Sequence, residues 1–84
     1  MKYSAQIKIM PLKELLDPQG KAVTESLHNL GLKQIDQVRI GKNIDLQVEA
    51  ISESAAKEMV DNACKKLLAN MVMESYEITV SPAG

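Results

Sequence analysis

Gly20-Lys21 is the pair in this 84-residue chain nearest to a phosphate-binding signature, and His28, Cys64 and Asp17 are the side chains nearest to a nucleophile or base. A phosphate loop needs a glycine five places before Gly20 and a hydroxyl after Lys21, so that backbone N–H groups cradle the phosphates and the hydroxyl holds magnesium. Leu15 and Ala22 stand at those places. The motif fails, leaving only the free N–H groups that any helix start offers an anion. His28 is the sole histidine and Cys64 the sole cysteine, so neither a two-histidine metal site nor an internal disulfide can be built. A Cys-His dyad would require the two to meet from separate helices. Their ordinary places are His28 beside a helix stripe, toward water, and Cys64 as a small hydrophobe near the core. Asp17 serves better as a helix cap than as a base, because capping uses its lone pairs and keeps it ionised. Acids such as Glu49 and Glu53 read as solvated surface.

The elements that must position these residues follow from periodicity. From Lys2 to Ile9 apolar Tyr3, Ala5, Ile7 and Ile9 alternate with polar residues, which predicts a strand buried on one face. Met10 to Leu16 is a connector, and Leu15-Leu16 can staple back onto the helix that follows. Asp17 is a good N-cap and Pro18 suits the first helical position, so a helix is predicted from about Pro18 to Leu30, with Val23, Leu27 and Leu30 on its buried stripe. Gly31 stops it in the left-handed conformation. Gly20, inside the first turn, costs about 0.5–1 kcal/mol relative to alanine; either something packs close against that backbone or the helix end stays open to a partner.

A second strand is expected over about Gln34 to Ile40 and a third over Ile44 to Glu49. Val38 and Ile40 share a face with Ile44, Leu46 and Val48 only if a hairpin is centred on Lys42, which places Asn43 at a left-handed turn position. Ser52 caps a second helix in which Ala56, Met59, Val60, Ala63 and Leu67 recur at helical spacing up to Asn70. Ser75 to Val80 is a fourth strand, with Tyr76, Ile78 and Val80 inward. The order βαββαβ predicts an α+β fold, a ferredoxin-like two-layer sandwich with a four-stranded antiparallel sheet and two helices on one face. Residues 1–80 then make one domain and 81–84 a flexible tail.

Composition narrows the classes. The chain is 45% hydrophobic without Phe or Trp, so the core is aliphatic. Ten Lys and Arg against eleven Asp and Glu leave a charge of −1, with no electrostatic reason for a nucleic acid or membrane partner. A single cysteine and no recognisable leader or apolar span point to the cytoplasm. At this size a core only marginally offsets chain entropy, so association is expected. The RNA-binding version of this fold needs aromatic residues on the central strands, where only Tyr3 stands, facing inward. Copper-chaperone relatives need Cys-x-x-Cys after the first strand and acylphosphatases an arginine there; Met10-Pro11-Leu12 follows it, and Arg39 is the only arginine.

Four segments stand in a distinctive order: Leu16-Asp-Pro-Gln-Gly-Lys-Ala-Val23, Leu27-His-Asn-Leu-Gly31, Val38-Arg-Ile-Gly-Lys42 and Lys66-Leu-Leu-Ala-Asn70. Together they resemble the PurS family, the small subunit of phosphoribosylformylglycinamidine synthase, over about Met1 to Val80. The resemblance implies a complex that uses ATP, magnesium and glutamine on its other subunits to convert formylglycinamide ribonucleotide into formylglycinamidine ribonucleotide in purine biosynthesis. It implies a large synthetase subunit and a glutaminase subunit as partners, a homodimer or higher homo-oligomer, and a bridging role in assembly and ammonia transfer. No catalytic residue, metal or cofactor is then expected in this chain. Asp17, Pro18, Gln19, Gly20 and Lys21, with Arg39, Gly41 and Lys42, become candidate partner-binding residues. Two departures stand out: Met71 where the family usually has proline, and Asn43 where a bulky residue is common. The alternative that the strand order alone suggests is a small-molecule-sensing domain of the ACT type.

Overall fold

A computed structural model describes residues 1–13, 15 and 17–83. Leu16, one half of the expected staple, and Gly84, the end of the expected tail, lie outside these residues. Strand β1 (Lys2–Pro11) is the centre of the molecule, and alternation decides which side is buried: Tyr3, Ala5, Ile7 and Ile9 are covered while Lys2, Gln6 and Lys8 are exposed. It pairs antiparallel with β2 (Lys42–Glu49) on one edge and β3 (Glu74–Pro82) on the other. Ile7 lies opposite both Ile44 and Ile78. That register brings Ile44, Leu46 and Val48 of β2 and Tyr76, Ile78 and Val80 of β3 onto the buried face of β1.

Helix α2 (Glu53–Ala63) covers this face, started by Ser52, whose hydroxyl accepts from the Ala55 N–H at 3.1 Å. Ala56 and Val60 face the sheet. The helix then widens into a π turn, Cys64–Leu68, closed by Ala69 N–H on the Cys64 carbonyl at 3.0 Å. The wider turn shifts the helical phase: Cys64, Leu68 and Ala69 pack on the core, and Leu67, expected on the buried stripe, is 83% exposed. Met59 is likewise outward, at 51% exposure. At the other end of the chain β3 runs through Pro82, and Ala83 N–H donates to the Lys2 carbonyl, so most of the expected tail is tied to the sheet.

The four-stranded expectation is corrected here, because the sheet has three strands. Residues 34–40 have no ladder partner among the described residues, and the hairpin at 41–43 does not form. Instead of turning back, the chain runs from Gly41 directly into β2, where Asn43 pairs with Lys8 in the ladder. The only non-glycine residue with positive φ among those described is Gln37 (φ 54°), not Asn43. The backbone donors of Val38 and Ile40, which a hairpin would have spent on β2, are taken by side chains of helix α1 (Pro18–Asn29).

Helix α1 forms as its sequence grammar requires. Pro18 opens it, and at its end Gly31 adopts φ +91° while Leu32 N–H returns to the Leu27 carbonyl and Gly31 N–H to His28, a Schellman stop. It is not packed onto the sheet, so the two helices do not share one face. Its apolar stripe is uncovered, with Val23 37% and Leu30 75% exposed. The result is elongated, 51 × 29 × 14 Å, with a radius of gyration of 16.5 Å where a compact chain of this length would have about 12 Å.

Candidate functional site

The two segments singled out by the sequence, Asp17–Lys21 and Arg39–Lys42, meet in space. One oxygen of Asp17 caps α1 by accepting from Gly20 N–H at 3.1 Å, and the other accepts from Ile40 N–H at 2.9 Å. The Ile40 bond is the larger cause, and the Gly20 bond the next, of an Asp17 carboxyl held below its ordinary pKa of 3.8; nearby Arg39 acts in the same direction. One turn on, the Thr24 hydroxyl donates to the Gly20 carbonyl at 2.9 Å and accepts from Val38 N–H at 3.1 Å. Asp17 and Thr24 thus staple the start of α1 to alternate residues of the 38–40 segment, the spacing an extended chain presents on one edge.

Gly20 has its reason in this staple. A Cβ built on it would overlap the Val38 carbonyl oxygen and lie 2.7 Å from Asp17 Oδ2 and 3.0 Å from the Val38 carbonyl carbon. Gly41 meets the same demand at the end of β1, where a Cβ would overlap Met10 Sδ and crowd the Ile9 carbonyl oxygen at 2.5 Å. Arg39, half-buried, donates through Nη2 to the Pro11 carbonyl oxygen and so holds the segment to the end of β1. Pro18, Gln19 and Lys21 are exposed at the helix start. Lys42 is exposed at the first residue of β2 and lies 3.9 Å from Glu74.

An open cleft of about 640 Å³ lies between α1 and the 36–39 segment, lined among others by Lys13, Lys21, Thr24, His28, Gln37 and Arg39. Lys13 and Arg39 also border a second, smaller hollow of about 380 Å³ with Lys8, Met10 and Tyr76. Thr24 does not stand out as a site residue in the sequence, and His28 stands out only as a member of a Cys-His dyad. A β-branched hydroxyl four residues after a helical glycine was the available signal for Thr24. His28 holds its Nε2 at 2.7 Å from the Ile35 carbonyl oxygen, which ties the chain after Gly31 back to the helix.

Little of this can do bond chemistry. Cys64 is fully buried in the core under α2, and burial pushes its thiol up, away from thiolate reactivity. His28 sits on α1, which is not packed on that core, so no Cys-His dyad exists. Among the described residues no group of three His, Cys, Asp or Glu side chains is placed to hold a metal ion. The remaining perturbed pair is structural: Tyr76 O–H donates to Asp61 Oδ1 at 2.5 Å, and Lys65 Nζ lies 3.0 Å from Asp61 Oδ2, fastening β3 to α2. The Asp61 carboxylate pushes the Tyr76 phenol up to about 12, and Tyr76, then Lys65, hold Asp61 below its ordinary value.

The stapled helix start and the two buttressed glycines form one closely packed unit at the surface. The family model for PurS, described as phosphoribosylformylglycinamidine (FGAM) synthase, matches residues 4–82. The chain belongs to the PurS family. It is 44% identical over 79 residues to the phosphoribosylformylglycinamidine synthase subunit PurS of Synechocystis, covering 92% of this chain and 79% of that protein. Crystalline PurS of Methanocaldococcus jannaschii, one of the subunits of formylglycinamide ribonucleotide amidotransferase in the purine biosynthetic pathway, superposes with a TM-score of 0.87 at 36% identity, covering 98% of this chain and 99% of that one. A chain in the structure of PurLQS from Thermotoga maritima superposes with a TM-score of 0.88 at 31% identity, covering 96% and 99%. The segments Asp17–Lys21 and Val38–Lys42 are the two halves of one staple.

Proposed function

We propose that this chain is a non-catalytic bridging subunit of a phosphoribosylformylglycinamidine synthase in purine biosynthesis. In this reading a large synthetase subunit and a glutaminase subunit carry the ATP, magnesium and glutamine chemistry, while this chain supports their assembly and the passage of ammonia between them. The single observation that carries it is the near full-length likeness to a chain of the PurLQS structure. The chain works as a homo-oligomer in the cytoplasm; its uncovered α1 stripe and elongated shape favour association. The exposed faces of Pro18, Gln19, Lys21 and Lys42, presented on the stapled unit that Asp17, Gly20, Arg39 and Gly41 hold rigid, form the surface offered to partners.

Sedimentation of the chain mixed with the large and glutaminase subunits of its own complex tests this. A species heavier than any pairwise mixture is expected when all three are present, and Lys21→Glu with Lys42→Glu should reduce it. Failure of the chain to enter any complex, with or without nucleotide and glutamine, would refute the reading.

A further inference from the structure

We infer that the hollow at the end of β1 ringed by Lys8, Lys13 and Arg39 docks an acidic segment of another subunit, one that brings several carboxylates around an apolar side chain. This rests on the bridging reading above and supplies the chemistry of one contact. Three observations lead to it.

The first is an excess of positive charge in one place. The chain as a whole carries −1, yet the smaller hollow, about 380 Å³, gathers Lys8, Lys13 and Arg39 against a single carboxylate among its described lining residues, Glu77. The adjoining cleft differs, because there Asp17, Glu25 and Asp36 balance Lys13, Lys21 and Arg39. A negative partner is therefore drawn to the smaller hollow.

The second is that these cations are unspent. Glu77 stands opposite Lys8 in the β1–β3 ladder, but among the described residues no ion pair joins them, and none involves Lys13 or Arg39. Arg39 gives one of its guanidinium N–H groups to the Pro11 carbonyl and keeps the others. That bond fixes the guanidinium at the rim of the hollow, so less freedom is lost when a carboxylate arrives.

The third is an apolar floor between the charges. Met10, Pro11 and Leu12 line the hollow half-buried, and Leu12 N–H donates to the Met73 carbonyl at 2.9 Å, which holds the floor in place. This floor decides between a small oxyanion and a protein segment. Lys8 and Lys13 are exposed, and a single exposed ion pair gains little against water and salt. Several carboxylates on one chain arrive together, each later pair forming at the effective concentration that the first sets. An apolar side chain among them covers the floor, which an inorganic ion would leave wet.

Carbodiimide coupling in the assembled complex tests the site. The reagent joins a lysine amine to a carboxylate only where the two touch, forming an amide while the reagent takes up the water as its urea. Peptide mapping should find Lys8 or Lys13 coupled to one acidic segment of the large or glutaminase subunit, about tenfold more than exposed Lys33 or Lys57. Lys8→Glu with Lys13→Glu should weaken the complex in sedimentation about tenfold, and by less at high salt. Lys8→Arg with Lys13→Arg should keep the complex and lose those couplings, since a guanidinium pairs with a carboxylate but does not form the amide; this arm decides even if the charge reversal fails to fold. If the chain enters no complex, the bridging reading falls. If the complex forms but Lys8 and Lys13 couple no more than Lys33, or couple only to a second copy of this chain, or charge reversal in a folded chain changes nothing, that reading stands and this docking site is wrong. Saturable binding of inorganic phosphate by the isolated chain, lost in the double Glu variant, would assign the hollow to a small oxyanion and also overturn it.

Discussion

Replacing Gly20 with alanine should destabilise the protein, although the same change at an ordinary helical position stabilises it. On helix preference alone alanine gains about 0.5–1 kcal/mol. Against this, the new methyl overlaps a backbone carbonyl oxygen, that of Val38, and crowds Asp17 Oδ2 at 2.7 Å. A flexible side chain would swing away, but Val38 is held by its own N–H on Thr24 and by the neighbouring Ile40 N–H on Asp17. The segment must recede and strain both bonds, and overpacking of this kind costs about 1–3 kcal/mol. Because the clash is with backbone that cannot swing away, the upper part of that cost applies, and the net expectation is a loss of about 1–2.5 kcal/mol, a fall in Tm of about 4–20 °C for a domain of this size. Thermal unfolding followed by circular dichroism measures it, at fixed protein concentration because an oligomer makes Tm concentration-dependent. Ala22→Gly, at an exposed position two residues on, should lose about 0.5–1 kcal/mol in the ordinary way. A Gly20→Ala protein with unchanged or raised Tm would show that α1 and the 38–40 segment are not in close approach, and the staple would be refuted.

Asp17, with its folded pKa lowered by the Ile40 and Gly20 N–H bonds, contributes stability that is fully present above its ordinary pKa of 3.8 and lost as pH falls through the lowered value. The stability difference between the unaltered protein and Asp17→Asn should therefore shrink in acid, as denaturant unfolding at a series of pH values would show. Tyr76 should ionise near 12 rather than 10 by ultraviolet absorbance, and move toward 10 in Asp61→Asn. Its contribution is present below the ordinary value and lost as pH rises through about 12, so a midpoint near 10 would remove the Asp61 bond from the account. Ile7→Ala, at the fully buried centre of β1, should cost about 2–5 kcal/mol in denaturant unfolding. Calorimetry of the isolated chain with glutamine should give no saturable heat, and saturable binding would favour the sensing alternative.

Local grammar was legible in the sequence because each signal acts within a few residues. The alternation of Tyr3, Ala5, Ile7 and Ile9 gave β1, Asp17-Pro18 and Gly31 bounded α1, and Ser52 began α2. What failed was long-range. The shared parity of Val38, Ile40, Ile44 and Leu46 predicts a hairpin centred on Lys42, and that hairpin does not form, because parity cannot tell a strand that folds back on itself from one that runs straight on. Here the straight course is held by Asp17 and Thr24, whose bonds to Ile40 and Val38 cross distances in sequence that no local pattern records. The stripe of α1 was read as buried because Val23, Leu27 and Leu30 are apolar, and an apolar face does not say which chain covers it. Leu67 was misplaced because a π turn changes the helical period. The cost of Gly20 is legible in the sequence, but its packing partner, Val38, is set by the fold and lies beyond the reach of any local pattern.

The bridging claim is tested most directly by synthesis of formylglycinamidine ribonucleotide in the reconstituted complex, with glutamine or with ammonium salts as the nitrogen source, in the presence and absence of this chain. Adding the chain should raise glutamine-driven synthesis much more than ammonium-driven synthesis, while the chain alone turns over nothing. Equal rates from glutamine with and without it, or turnover by the purified chain itself, would contradict the account.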